Sequence, residues 1–384
     1  MSVFNSIMFN TIYYYIAAIF VGCTIGNYLS DLYMKSSSPM FLTFNLLIGF
    51  ISLCLSFIFN IFIYEIGRLI FGLMTGYKFL SFRISNTVII RKSGRLTVIK
   101  NKSVRTSGNC VMLPPVKKNG KIPYYLYNKG GAILNFLLLP WYALFYSKIS
   151  SGLLEMIVEL LMIISITSIA ISVFGGSTNN EYITDKSYNA ALFKRKRKAL
   201  QAFYIEMKIY EKILNGVRLQ NLSDKYFEIL NQYSVDNCFM EAVEAIYYKK
   251  LIDMHEFDRA KIRIENILEA DKKITDTYKC LLTCDYIYCQ LVSGNIFNAK
   301  KAYTNEIKKI MNSMNMKKNL TVIRTRYSYA LLVNDNLSEA GKQRKMFDRV
   351  SKNYPYKVEI ESEKELIDVV YSKYYKTLHQ KFIG

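Results

Sequence analysis

Tyr64-Glu65-Ile66-Gly67-Arg68-Leu69-Ile70-Phe71-Gly72-Leu73-Met74-Thr75-Gly76 closes an apolar run that begins at about Met40. Glu65 and Arg68 are the only charged residues in that run. About 20 apolar residues suffice to cross the hydrocarbon layer of a bilayer. The stretch therefore predicts a membrane span over about 40–76 that carries a carboxylate and a guanidinium near one end. At i and i+3 the two charges share one helical face. An internal ion pair that neutralises both is one reading, and a group that meets a bound client is another.

Working outward, three more spans are predicted, over about 12–29, 123–146 and 153–174. No basic region or small-residue cleavage site flanks the first, so it is expected to stay as an anchor. The 384 residues leave room for two or three domains, and 51% are hydrophobic. The apolar runs all fall before about residue 175. The expected organisation is thus a membrane domain over 1–183 and a helical domain over 184–384. The fold class is a polytopic α-helical membrane protein of about four spans.

Basic residues set the expected orientation. Between Gly76 and Ile122 lie Lys78, Arg83, Arg91, Lys92, Arg95, Lys100, Lys102, Arg105, Lys117, Lys118 and Lys121, with no acidic residue. Lys194-Arg195-Lys196-Arg197-Lys198 follows the last span. The loops 30–39 and 147–152 hold only Lys35 and Lys148 as basic residues. Cytoplasmic lysine and arginine then place both termini, the basic loop and the C-terminal domain inside a cell membrane. Adhesion of the polybasic stretches to acidic head groups is compatible with this.

The basic loop reads as a β insertion over 78–113. Expected strands are Phe79–Ile84, Thr87–Arg91, Leu96–Lys100 and Cys110–Leu113, with a hairpin turn at Ser93-Gly94. The net charge of +21 comes without any nucleic-acid-binding motif, so the lipid bilayer is the expected partner and nucleic acid is not. Seven scattered cysteines, Cys23, Cys54, Cys110, Cys238, Cys280, Cys284 and Cys289, form no CxxC pair. Cys280 and Cys284 at i and i+4 are read as core packing. No P-loop or dinucleotide fingerprint occurs, and no cofactor is expected.

In the C-terminal half three segments align: Glu256-Phe257-Asp258-Arg259-Ala260, Asn295-Ile296-Phe297-Asn298-Ala299 and Asn336-Leu337-Ser338-Glu339-Ala340. Each follows an aromatic-rich helical stretch. The pattern looks like tetratricopeptide-type hairpins, although their usual period is about 34 residues; a generic helical bundle is the plainer alternative. Either form offers a surface for a cytoplasmic protein partner.

The Tyr64–Arg68 spacing matches H-E-x-x-H, in which two histidines one turn apart grip zinc and the glutamate activates water. With the apolar, glycine-containing run to Thr75-Gly76 and a β segment after it, the chain resembles the site-2 protease family of intramembrane zinc metalloproteases. The branch meant is a bacterial one with a helical cytoplasmic extension. Gly130-Gly131-Ala132-Ile133-Leu134-Asn135 is similar to the family's substrate-holding G-P-x-x-N segment. Thr178-Asn179-Asn180-Glu181-Tyr182 stands where its third zinc ligand, an aspartate, is expected.

The resemblance implies zinc ligands at positions now held by Tyr64, Arg68 and Asn180; whether Asn180 or Glu181 is the aspartate's counterpart stays open. A guanidinium has no lone pair and repels a divalent ion. The chain therefore reads as a pseudoprotease, without catalytic or metal-binding residues. Glu65, Arg68, Gly131 and Asn135 are the residues expected to meet a client. Asn135 has a second reading as a hydrogen-bonding group between packed spans. Glu155 and Glu159, one turn apart, are read as interfacial carboxylates or as an ion path.

The expected function is to bind a membrane peptide or single-span protein without cleaving it. The alternatives are a peptide transport or immunity component that keeps only the scaffold, and a metalloprotease with a metal site rebuilt from Glu65, Glu181 and Asp185.

Overall fold

A computed structural model describes residues 2–34, 38–85, 87–92, 94–100, 106–115, 121–149, 152–174, 193, 197–232, 237–269, 276–314, 316–352, 354 and 356–383. By internal contacts the chain divides into Met1–Ile84 with Ser107–Leu200, and Ser85–Thr106 with Gln201–Gly384. The two units are described separately.

In the first unit α1 (Ser2–Tyr33), α2 (Pro39–Met74), α3 (Tyr125–Tyr146) and α4 (Leu153–Phe174) pack together. Pro39 opens α2 with its ring at the first helical position, where a missing N–H costs nothing. The other end closes at Gly76, whose φ of 86° suits glycine. There the Tyr77 N–H bonds to the Gly72 carbonyl at 3.0 Å and the Gly76 N–H to that of Leu73 at 3.0 Å.

Among the described residues three segments, Tyr15–Tyr33, Pro39–Met74 and Leu153–Val173, are long and apolar enough to cross a membrane. The fourth expected span, 123–146, is a helix but is not among them. The reason is composition: α3 carries Asn128, Lys129, Gly130, Gly131, Asn135 and an internal Pro140. At 36 residues α2 is also longer than a crossing demands; at 1.5 Å per residue it measures about 54 Å against a hydrocarbon layer of about 30 Å.

The β insertion forms a small four-stranded antiparallel sheet. Its strands are β1 (Lys78–Ser85), β2 (Thr87–Lys92), β3 (Arg95–Lys100) and β4 (Thr106–Leu113), in the order β3-β2-β1-β4. The hairpin β2–β3 pairs Arg91 with Leu96, Ile89 with Val98 and Thr87 with Lys100. Gly94 takes the positive φ that its tight turn requires. Asn180, Glu181, Asp185 and Lys194–Lys196 lie outside the described residues.

Apart from the β2–β3 hairpin, the second unit and the stretch that leads into it are helical: α5 (Arg197–Leu214), α6 (Glu228–Gln232), α7 (Cys238–Asp253), α8 (Phe257–Glu269), α9 (Asp276–Val292), α10 (Ile296–Ala302), α11 (Asn305–Met311), α12 (Leu320–Leu332), α13 (Leu337–Ser351) and α14 (Lys357–Ile383). The three aligned segments each begin the second helix of a hairpin: α7/α8, α9/α10 and α12/α13. Each turn passes through one left-handed residue, His255, Gly294 or Asp335, with φ of 62°, 88° and 51°. Ala260, Ala299 and Ala340 are buried where the helices cross. Along these hairpins runs α14, whose Leu366, Ile367, Val370 and Tyr374 share a core with Tyr248, Tyr288 and Tyr327.

Candidate functional site

Glycine lets α2 and α3 meet backbone to backbone. A Cβ on Gly67 would stand 2.4 Å from the Gly130 carbonyl oxygen, and one on Gly130 would stand 2.7 Å from that of Gly67. One residue on, a Cβ at Gly131 would stand 2.5 Å from the Tyr64 ring. The absent side chain at 131 is therefore the space that the phenol fills. At the same level a Cβ on Gly108, in β4, would press on Ile61 and on the Glu65 stem.

These approaches bury Glu65 and Arg68 to 5% and 3% exposure. Arg68 Nη1 donates to Glu65 Oε2 at 3.0 Å, and the same oxygen accepts the backbone N–H of Cys110 at 2.7 Å. The guanidinium lies over the Tyr127 ring at 4.5 Å. That tyrosine donates its hydroxyl to the Cys110 carbonyl at 2.8 Å and stacks on Tyr77 at 4.5 Å between centroids. One ion pair thus joins α2, α3 and β4. A buried charge is tolerated where an opposite charge and further hydrogen bonds satisfy it. Both hold for the Glu65 carboxylate, while Arg68 has its counter-charge and the Tyr127 ring but no partner at Nε among the described residues.

Below this pair lies a second polar cluster, of which the sequence reading singled out only Asn135. Asn60 Nδ2 donates to Ser165 Oγ at 3.0 Å and to Asn135 Oδ1 at 3.4 Å. Ser168 Oγ donates back to Asn60 Oδ1 at 2.9 Å. Asn135 is fully buried among these partners between α2, α3 and α4. Asn60 and Tyr64, at i and i+4, lie on one face of α2.

That face borders a cavity of about 480 Å³. On its polar side stand Asn60, Tyr64, Glu65, Thr167, Ser168 and Ser172. Ala17, Ala18 and Val21 of α1 and apolar residues of α2 and α4 line the rest. Of the residues expected to meet a client, Glu65 borders this cavity, whereas Arg68, Gly131 and Asn135 are buried between helices. At the far end of α4, Glu159 accepts a hydrogen bond from the Tyr146 hydroxyl at 2.9 Å.

The donors around position 64 do not fit zinc. Arg68 offers N–H groups and a positive charge, its carboxylate partner is committed to it, and the Tyr64 ring packs on Gly131. What the arrangement can do is present amide and hydroxyl groups, beside one neutralised carboxylate, along a largely apolar crevice.

No known protein family, curated protein or solved structure matches the chain.

Proposed function

We propose that this chain is a non-catalytic, site-2-protease-like membrane protein that holds a membrane peptide or single-span protein client without cutting it. The observation that carries the reading is the Glu65 carboxylate, bound to Arg68 and to the Cys110 N–H at the rim of the 480 Å³ cavity. A carboxylate in that state serves neither as a metal ligand nor as a base toward water. The cavity keeps its polar wall, which suits the main chain of a bound segment.

In this reading α3 is the fourth span. Its buried half holds Asn128 and Asn135, and Lys129 donates to the Ser172 carbonyl of α4. Its other half exposes Phe136, Leu137, Trp141, Leu144 and Phe145, a face suited to lipid. Both termini and the second unit then lie in the cytoplasm. There the hairpins act as a tetratricopeptide-like scaffold for a protein partner.

The test is metal analysis of the detergent-solubilised protein, cleavage of a model membrane peptide, and photocrosslinking in cells from position 57. Expected are no stoichiometric zinc, no cleavage, and a crosslinked apolar peptide. Bound zinc, or cleavage that Glu65→Gln abolishes, would reject the proposal.

A further inference from the structure

The hairpin β2–β3 has two unlike faces. Val88 and Ile90 are buried on one. On the other, the register sets Thr87, Ile89 and Arg91 beside Lys100, Val98 and Leu96. Residues directly opposite in an antiparallel pair share a face. Leu96 and Val98 are 68% and 64% exposed there, and Ile89 is half-buried between them. Arg91 and Lys100 stand exposed at the two ends of this aliphatic strip. Strand β3 also forms an edge of the sheet.

We propose that this outer face is a binding surface for anionic lipid head groups. The aliphatic strip enters the interfacial layer and the cations pair with phosphates. Two independent observations point to lipid. The first is charge: Arg91 and Lys100 flank the strip, and the segment from Tyr77 to Ile122 supplies no acidic residue to oppose an anion there. Positive-inside topology accounts for cations near a membrane, but it gives no reason for bare Leu96 and Val98. The second is exposure. Leu96 and Val98 stand bare beside Ile89 with a cation at each end, an apolar centre with a cationic rim that an interfacial layer takes up without a shaped pocket. Neighbouring cations also disfavour pairing of this edge with another strand. Cation–lipid attraction of this kind is worth about five-fold in partition for each basic residue near an acidic surface.

The full chain is tested in nanodiscs. Trp141 is the only tryptophan, so Leu96→Trp on a Trp141→Phe background gives one reporter on the face. Thr97→Trp, on the opposite face, is the control. Expected in phosphatidylglycerol discs is a blue-shifted Leu96→Trp emission quenched by brominated acyl chains. In phosphatidylcholine discs, or in about 0.5 M salt where screening shortens to about 4 Å, that quenching is lost. Removing Arg91 and Lys100 together by alanine substitution should lower the docked-to-free ratio about 25-fold. The proposal is overturned if the reporter is unquenched in anionic discs, as a protein occupant would leave it. Equal quenching in both lipids, quenching that survives loss of both cations, or equal quenching of the Thr97→Trp control overturns it too.

Discussion

At Arg68 the side chain does two jobs: it neutralises Glu65 and covers the Tyr127 ring. Removing one member of a buried pair strands the other, which typically costs about 3–5 kcal/mol. Arg68→Met is therefore expected to lower the thermal midpoint in detergent sharply. The Glu65→Gln/Arg68→Met double variant should recover most of that loss. A double variant no better than the single would mean that the guanidinium's packing, not its charge, matters. A second residue invites a titration. Burial pushes the Glu206 carboxyl up to about 7, and desolvation pushes its half-buried neighbour Cys238 up to about 12. Because the folded state favours the protonated acid, stability is greatest below the ordinary carboxyl pKa. It then declines as pH rises through about 7. Glu206→Gln should leave stability unchanged at pH 4 and raise it above pH 7, with an upper bound of about 3 kcal/mol; a gain that does not vary with pH would contradict this. The ion pair was legible in sequence because two charges in an apolar run must meet. Asn60 was not, since one amide in such a run has no partner until Ser165 and Ser168 arrive from a helix about 100 residues away.

At the scale of elements, the hairpin turns show what periodic sequence can reveal. Ala260, Ala299 and Ala340 marked the helix crossings. The left-handed residue five positions before each was not anticipated, because histidine, glycine and aspartate share no obvious chemistry. All three tolerate the conformation for different reasons, glycine most easily. Gly294→Ala is accordingly expected to destabilise the helical unit by about 1 kcal/mol, read as a lower denaturant midpoint. No change would mean the turn relaxes out of the left-handed region. After Asn295 the chain forms two short helices, α10 and α11, broken at Tyr303. Thr304 caps the second by accepting the Ile307 N–H through its hydroxyl. Threonine within a helical pattern is ambiguous between cap and interior, so that break was unreadable.

For the whole molecule, α3 decides between three crossings of a bilayer and four. Hydropathy finds α1, α2 and α4 because each holds a window apolar enough on average to outweigh its few polar residues. It passes over α3, whose amides and glycines are spent on neighbours and not on lipid. The two counts make opposite predictions. With α3 crossing, a cysteine at Lys148→Cys faces outward and one at Ser223→Cys faces the cytoplasm. With only three crossings the assignments exchange. Labelling of intact cells by an impermeant thiol reagent, on a cysteine-free background, is expected to mark position 148 and spare position 223. The reverse result would remove the four-span reading and the cytoplasmic placement of the helical unit.

Gly67 and Gly130 leave only hydrogen atoms between two main chains. A slide of either helix would drive Leu134 or Phe71 into the facing backbone. At this crossing the alignment of α2 with α3 is thus indexed by steric fit, one turn from the Arg68–Tyr127 contact. Contour and charge are written in separate residues, so a fully neutral version of the crevice ought to keep its outline.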